Sequence, residues 1–149
     1  MSGILVGVDA SDHSRHAVRW AMQEAVLRQV PLTVMTVRPG EPRPATMTFW
    51  GLRIYSEGSH HEDLVRSAVQ ALVDEVAGEI GGRLPETTVT VATGHPAEEL
   101  VTASRDADML VVGSRGTGGF GRLVLGSVSS QVTHHAVCPV VVIPGPAHR

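Results

Sequence analysis

Residues 108–130 read DMLVVGSRGTGGFGRLVLGSVSS and change character twice within a few positions. An apolar run from Met109 to Val112 stops at Gly113. Five more glycines follow (116, 118, 119, 121 and 126), together with Arg115 and Arg122. A segment with helical spacing resumes at Gly126 and runs to about Ala136. A buried strand, a glycine-rich loop and a helix form the repeating unit of α/β domains, so the stretch points to a strand-to-helix crossover. Its glycines admit two readings. They form either a structural loop or a cradle of backbone N–H groups for an anion, because glycine lets backbone approach a ligand closely.

The same alternation extends outward in both directions. GILVGV (residues 3–8) is a short apolar run ending at Asp9. After it, Ala17, Val18, Ala21, Met22 and Ala25 recur at helical spacing, with Ser11 or Asp12 placed to cap the start. LTVMTV (32–37) follows Pro31 as a second strand. Residues 61–80 give the clearest helix, with Leu64, Val65, Ala68, Leu72, Val76 and Ile80 on its expected apolar side. TTVTVAT (87–93) is a third strand, and Pro96 suits the first position of the next helix. CPVVVIP (138–144) closes the series. Five strands alternating with four helices predict an open, mostly parallel sheet with helices on both faces. Residues 38–60 interrupt this pattern with three prolines and weak periodicity, and they are expected to form an irregular loop or lid.

The whole chain narrows the function. Its 149 residues suit one domain, spanning 1–149, and the net charge of −3 favours neither a nucleic-acid nor a membrane surface. All twelve basic residues are arginine, which excludes phosphate-binding loops that depend on lysine. One cysteine, Cys138, excludes an internal disulfide framework and is expected to be a buried, inert thiol. No secretory leader or long apolar run is evident, so a cytoplasmic location is expected.

In open parallel sheets, ligands bind beyond the carboxyl ends of the strands, where the strand order switches. Two loops qualify: the one after Asp9, and the glycine loop from Ser114 to Gly121. Unpaired N–H groups at a helix start near Gly126 and Ser127 favour an anion. Ser127 either contacts a phosphate or caps its own helix. Asp9 is likewise a nucleotide or metal contact, or simply a turn and capping residue.

The spacing Gly113-x2-Gly116-x9-Gly126-Ser127 is similar to the ATP-binding signature of the universal stress protein family. The resemblance extends to ILVGVDASDHS, GHPAEEL and VTHHAVCPVVVIP, and so covers nearly the whole chain. It implies a five-stranded parallel sheet in the order 3-2-1-4-5, the topology of adenine-nucleotide α-hydrolases, and a homodimer formed through the last strand. The implied ligands are ATP and Mg2+. Asp9 would lie beside the nucleotide and the metal ion, and the backbone of Val37 would read the adenine edge. Gly113 and Gly116 would face ribose and phosphate, while Gly126, Ser127 and Val128 would receive the phosphates. Arg115 and Arg122 are charge partners or ordinary surface arginines.

Other residues carry weaker signals. His134 and His135 are adjacent on a helix, which makes a poor chelating pair, and no catalytic residue is assigned. Trp20 and Trp50 are read as packing anchors, with Trp50 alternatively covering a base. The apolar VVVI strand suits pairing with a second copy. Function then divides between a nucleotide-binding regulator with at most slow hydrolysis, an enzyme splitting ATP between its α- and β-phosphates, and a nucleotide-free interaction protein.

Overall fold

The structure is a computed structural model, and it describes residues 3–9, 12–38, 46–49, 52–55, 60–114 and 126–145. Five parallel strands form its centre: β1 (Ile4–Gly7), β2 (Leu32–Arg38), β5 (Thr87–Thr93), β6 (Met109–Gly113) and β7 (Val140–Ile143). Their spatial order is β5-β2-β1-β6-β7, which is the expected 3-2-1-4-5 when these five strands alone are counted. Four helices connect them: α1 (Asp12–Arg28), α2 (His60–Ile80), α3 (Pro96–Ser104) and α4 (Ser127–His135). Pro96 stands at the start of α3, where its missing N–H costs no helical bond.

Alternation along the strands divides the core in two. Ile4, Val6 and Val8 join Val34, Met109 and Val111 beneath α1 and α2. Leu5, Met35, Leu110 and Val112 pack with Leu100 of α3 and Val132 of α4 on the opposite face. β1 is therefore buried on both faces, and each fully buried valine or leucine contributes about 1.5–3 kcal/mol relative to exposure. The stripe Ala17, Val18, Ala21, Met22 and Ala25 is buried as expected, and its small residues bring α1 close to the sheet. Trp20 packs against the same core. Arg15 pairs with Glu75 (3.0 Å) and Glu79, and Arg19 also pairs with Glu79, tying α1 to α2. Such partly exposed pairs are worth about 0–1 kcal/mol each, so burial dominates this contact.

Two expectations need correction. In α2, Val65 and Val76 are buried as expected, but Val69 and Val73 are buried with them and Leu64 is 57% exposed. Leu72 and Ile80 pack only at the margin. The buried face is thus centred on the valines, with the leucines at its margin or outside it. The segment 38–60 is also not wholly irregular. Arg38 completes β2, and β3 (Thr46–Phe49) pairs antiparallel with β4 (Leu52–Tyr55), from Thr46 opposite Tyr55 to Phe49 opposite Leu52. Both four-residue runs alternate apolar and polar residues, a period of two that the nearby prolines obscure. No helix among the described residues is long and apolar enough to cross a membrane.

Candidate functional site

The chain leaves β1 in one direction, toward β2 and β5, and later returns to place β6 and β7 on the other side. The switch point therefore falls between β1 and β6. Gly7 is level with Met35, and Val6 is level with Val111. Extending those registers sets Asp9 level with Val37, and Val8 level with Gly113. Three residues distant in sequence thus meet at the carboxyl ends of adjacent strands, where open sheets hold ligands.

Asp9 is buried, with 4% of its surface exposed, and it is tied to the first turn of α1. Its N–H donates to Ser14 Oγ at 2.7 Å, and the same hydroxyl donates back to Asp9 Oδ1 at 2.6 Å. These bonds hold Asp9 to α1 through a side-chain hydroxyl and leave the residue at the switch point. Sequence reading missed Ser14. Its signal was a hydroxyl on the otherwise apolar stripe with Val18, Ala21 and Ala25, since a polar residue on a buried stripe requires a partner.

Val37 is fully buried, so its side chain fills the core and its backbone is what faces the fork. Ladder groups in a parallel strand alternate between its two neighbours. The Arg38 carbonyl accepts from Gly94 N–H (2.8 Å) on the β5 side, and the Met35 carbonyl accepts from Val8 N–H (2.9 Å) on the β1 side. Val37 accordingly turns its N–H and C=O toward β1, beyond the end of that strand. Outside the sheet ladder, no backbone hydrogen bond between described residues uses either group.

The glycine loop is closed at its base. The Ser114 carbonyl accepts from Gly126 N–H at 2.6 Å and from the buried Ser129 hydroxyl at 3.0 Å, while Ser114 N–H donates to the Ile143 carbonyl at 2.8 Å. The start of α4 is thereby fastened to the end of β6. Gly126 is the N-cap residue at φ −75° and supplies no capping side chain. The first helical bond runs from Ser130 N–H to the Gly126 carbonyl, which leaves the preceding N–H groups, those of Ser127, Val128 and Ser129, outside the ladder. Ser127 is exposed, and the Val128 side chain packs on the α3–α4 core, so Val128 offers the site only its backbone. Since a φ of −75° suits any residue, the value of glycine at 126 is the absence of a cap. Ser129, one of the hydroxyls in the run after Gly126, is buried one turn before Val132 and also donates to the Gly126 carbonyl at 3.1 Å.

Arg115, Gly116 and Arg122 lie outside the described residues, as does Trp50. His134 and His135 are exposed, with ring centroids 6.3 Å apart and planes at 77°. No cluster of three or more metal-ligating side chains occurs among the described residues. Cys138 is half-buried; burial pushes its thiol above the usual range, and nearby Asp108 adds to the shift. Hydrogen bonds from the Leu110 backbone and Ser104 act in the opposite sense.

The profile of the universal stress protein family matches residues 1–144. A universal stress protein of Mycolicibacterium smegmatis is 39% identical over 150 residues, covering 96% of this chain and 48% of its own length. The chain spans about half the length of the curated relatives it matches. Among solved structures, the Archaeoglobus fulgidus universal stress protein in complex with dAMP superposes with a TM-score of 0.65 at 24% identity, over 96% of this chain and 98% of that one. A universal stress protein in complex with cAMP gives a TM-score of 0.65 at 23% identity, with 95% of each chain covered. At these identities the two structures carry the fold. Given the extent of the profile match and the identity to the mycobacterial relative, the chain belongs to the universal stress protein family.

Proposed function

We propose that this chain is an adenine-nucleotide-binding regulatory protein of the stress response, taking ATP with Mg2+. The observation that carries the reading is the uncapped start of α4, fastened to Ser114 at the switch point. Three N–H groups there lie outside the helical ladder, which suits a phosphate, and the helix dipole adds to the attraction. Val37 offers an adjacent backbone donor and acceptor, the pair that an adenine edge matches. Asp9 stands beside them and takes the metal ion, with phosphates and water supplying most of the other ligands. Gly113, Gly116 and Arg115 complete the assignment on the strength of the motif alone. The family members solved with dAMP and cAMP support the choice of an adenine nucleotide.

Regulation is the better reading than turnover. Hydrolysis requires an oriented water, a group to activate it and charge stabilisation at the leaving phosphate. Asp9 is already engaged with Ser14 and is assigned to the ion, so any hydrolysis is slow. We place the protein in the cytoplasm as a homodimer joined along β7. Support for the dimer comes from a strand that is only half-buried throughout, with Val137 just before it 65% exposed.

Calorimetric titration of nucleotide-stripped protein with ATP and Mg2+, beside a Gly116→Val variant, tests the reading. Saturable binding by the parent, with none in a still-folded variant, is expected. A parent that takes up no adenine nucleotide refutes it. Analysis of products then separates the enzymatic alternative, because AMP and pyrophosphate would indicate cleavage between the α- and β-phosphates.

A further inference from the structure

We infer that Ser14 is a positioning residue for the metal-facing carboxylate of Asp9, an inference that rests on the nucleotide reading above. The observation is a closed pair of hydrogen bonds. One hydroxyl accepts the Asp9 N–H at 2.7 Å and donates to Asp9 Oδ1 at 2.6 Å. A serine hydroxyl has one donor and two acceptor sites, so these bonds use its only hydrogen and one lone pair. Because both bonds end on the same residue, they fix the carboxylate relative to its own backbone. Rotation about Asp9 χ1 breaks the second bond while leaving the first.

The surroundings of the pair make this more than a helix cap. Asp9 and Ser14 are each 4% exposed, so water cannot readily replace either bond. Ser14 belongs to α1, whose stripe is packed on the sheet and whose next turn is joined to α2 through Arg15 and Arg19. The hydroxyl is therefore mounted on a rigid element, whereas Asp9 follows the end of a strand. Groups that bind metal gain affinity when a neighbouring hydrogen bond holds them in the bound orientation, and loss of such a partner commonly costs about 10- to 100-fold. The consequence is specific to the ion. Contacts of the nucleotide with the α4 N-terminus and with Val37 do not pass through Ser14.

The test is a double-mutant cycle read by calorimetry with ATP in excess Mg2+ and with ATP in EDTA. The four proteins are the parent, Ser14→Ala, Asp9→Asn and the double variant. Ser14→Ala is expected to weaken Mg-ATP binding about tenfold and to change metal-free binding by less than about twofold. In the Asp9→Asn background the same substitution should add less than about twofold, because the group it positions no longer binds the ion. Equal losses with and without Mg2+, or the same loss in both backgrounds, would show a merely structural serine and overturn the inference while the nucleotide reading survives. A parent that binds neither form overturns both. Thermal melting confirms folding of each variant, and Ser14→Thr, which keeps the hydroxyl, should recover the Mg2+ dependence if Ser14→Ala melts too early to titrate.

Discussion

β5 and β7 both end the sheet, but they differ in how their outer edges are finished. β5 runs for seven residues in continuous register with β2, and Arg66 of α2 reaches over it to donate to the Val89 carbonyl at 2.8 Å. Ladder alternation makes that carbonyl one of the outward-facing groups of β5, so a cation already occupies the position an incoming strand would need. β7 has four residues, all valine or isoleucine. They pack alternately on both cores, with Val141 and Ile143 on one and Val140 and Val142 on the other. Its inner groups bond β6, since the Pro139 and Ile143 carbonyls accept from Leu110 and Ser114. The outward groups accordingly belong to Val140 and Val142. One edge carries a cation on an outward carbonyl, and the other ends in a short apolar strand, where the proposed dimer would form.

The largest effect should come from β7. Val142→Pro removes an outward N–H while sparing the inner ladder, and it should convert the proposed dimer to monomer at micromolar concentration with the fold retained. Sedimentation velocity measures this, and an unchanged dimer would move the interface elsewhere. Next in size is the end of β5, where Gly94 has φ +143° and a Cβ would lie 2.8 Å from Glu99 Oε1. Gly94→Ala should cost about 1–3 kcal/mol in chemical denaturation, and a neutral result would show that the turn relaxes. Arg66→Ala should then cost about 1 kcal/mol and raise concentration-dependent association through β5, seen by light scattering. If association stays flat, the guard is not what closes that edge.

The smallest effect concerns Cys138, at the entry to β7. Burial holds its thiol above the ordinary value. The unfolded thiol therefore ionises first, and its contribution to stability is present below the ordinary thiol range and fades as pH rises through the folded value. The pH midpoint of iodoacetamide alkylation should lie above that of free cysteine, and a midpoint at or below it would contradict the burial.

The sheet was legible because its strands are continuous valine-rich runs separated by helical periods, and burial of both faces leaves such runs little alternative. The face of α2 was not legible, since Leu64 and Val65 are equally apolar and only packing distinguishes them. The hairpin of β3 and β4 was hidden by prolines counted over the whole interval, although each short run carries a period of two. At the site, glycine spacing pointed to the α4 start and apolar periodicity to the strand ends. The two hydroxyls that organise these positions, on Ser14 and Ser129, are local hydrogen-bonding devices on otherwise apolar stripes. Composition alone does not distinguish them from ordinary helix serines.

The hydrogen bond between Ser114 and Gly126 has an evolutionary consequence. A loop whose two stems are joined to each other can gain or lose residues at little cost to the rest of the domain, because closure entropy grows only by about 0.6 kcal/mol per doubling of length. Changes of sequence or length between Ser114 and Gly126 should therefore leave the stability of the sheet nearly unchanged. Family members that differ in length between those two stems would still fold.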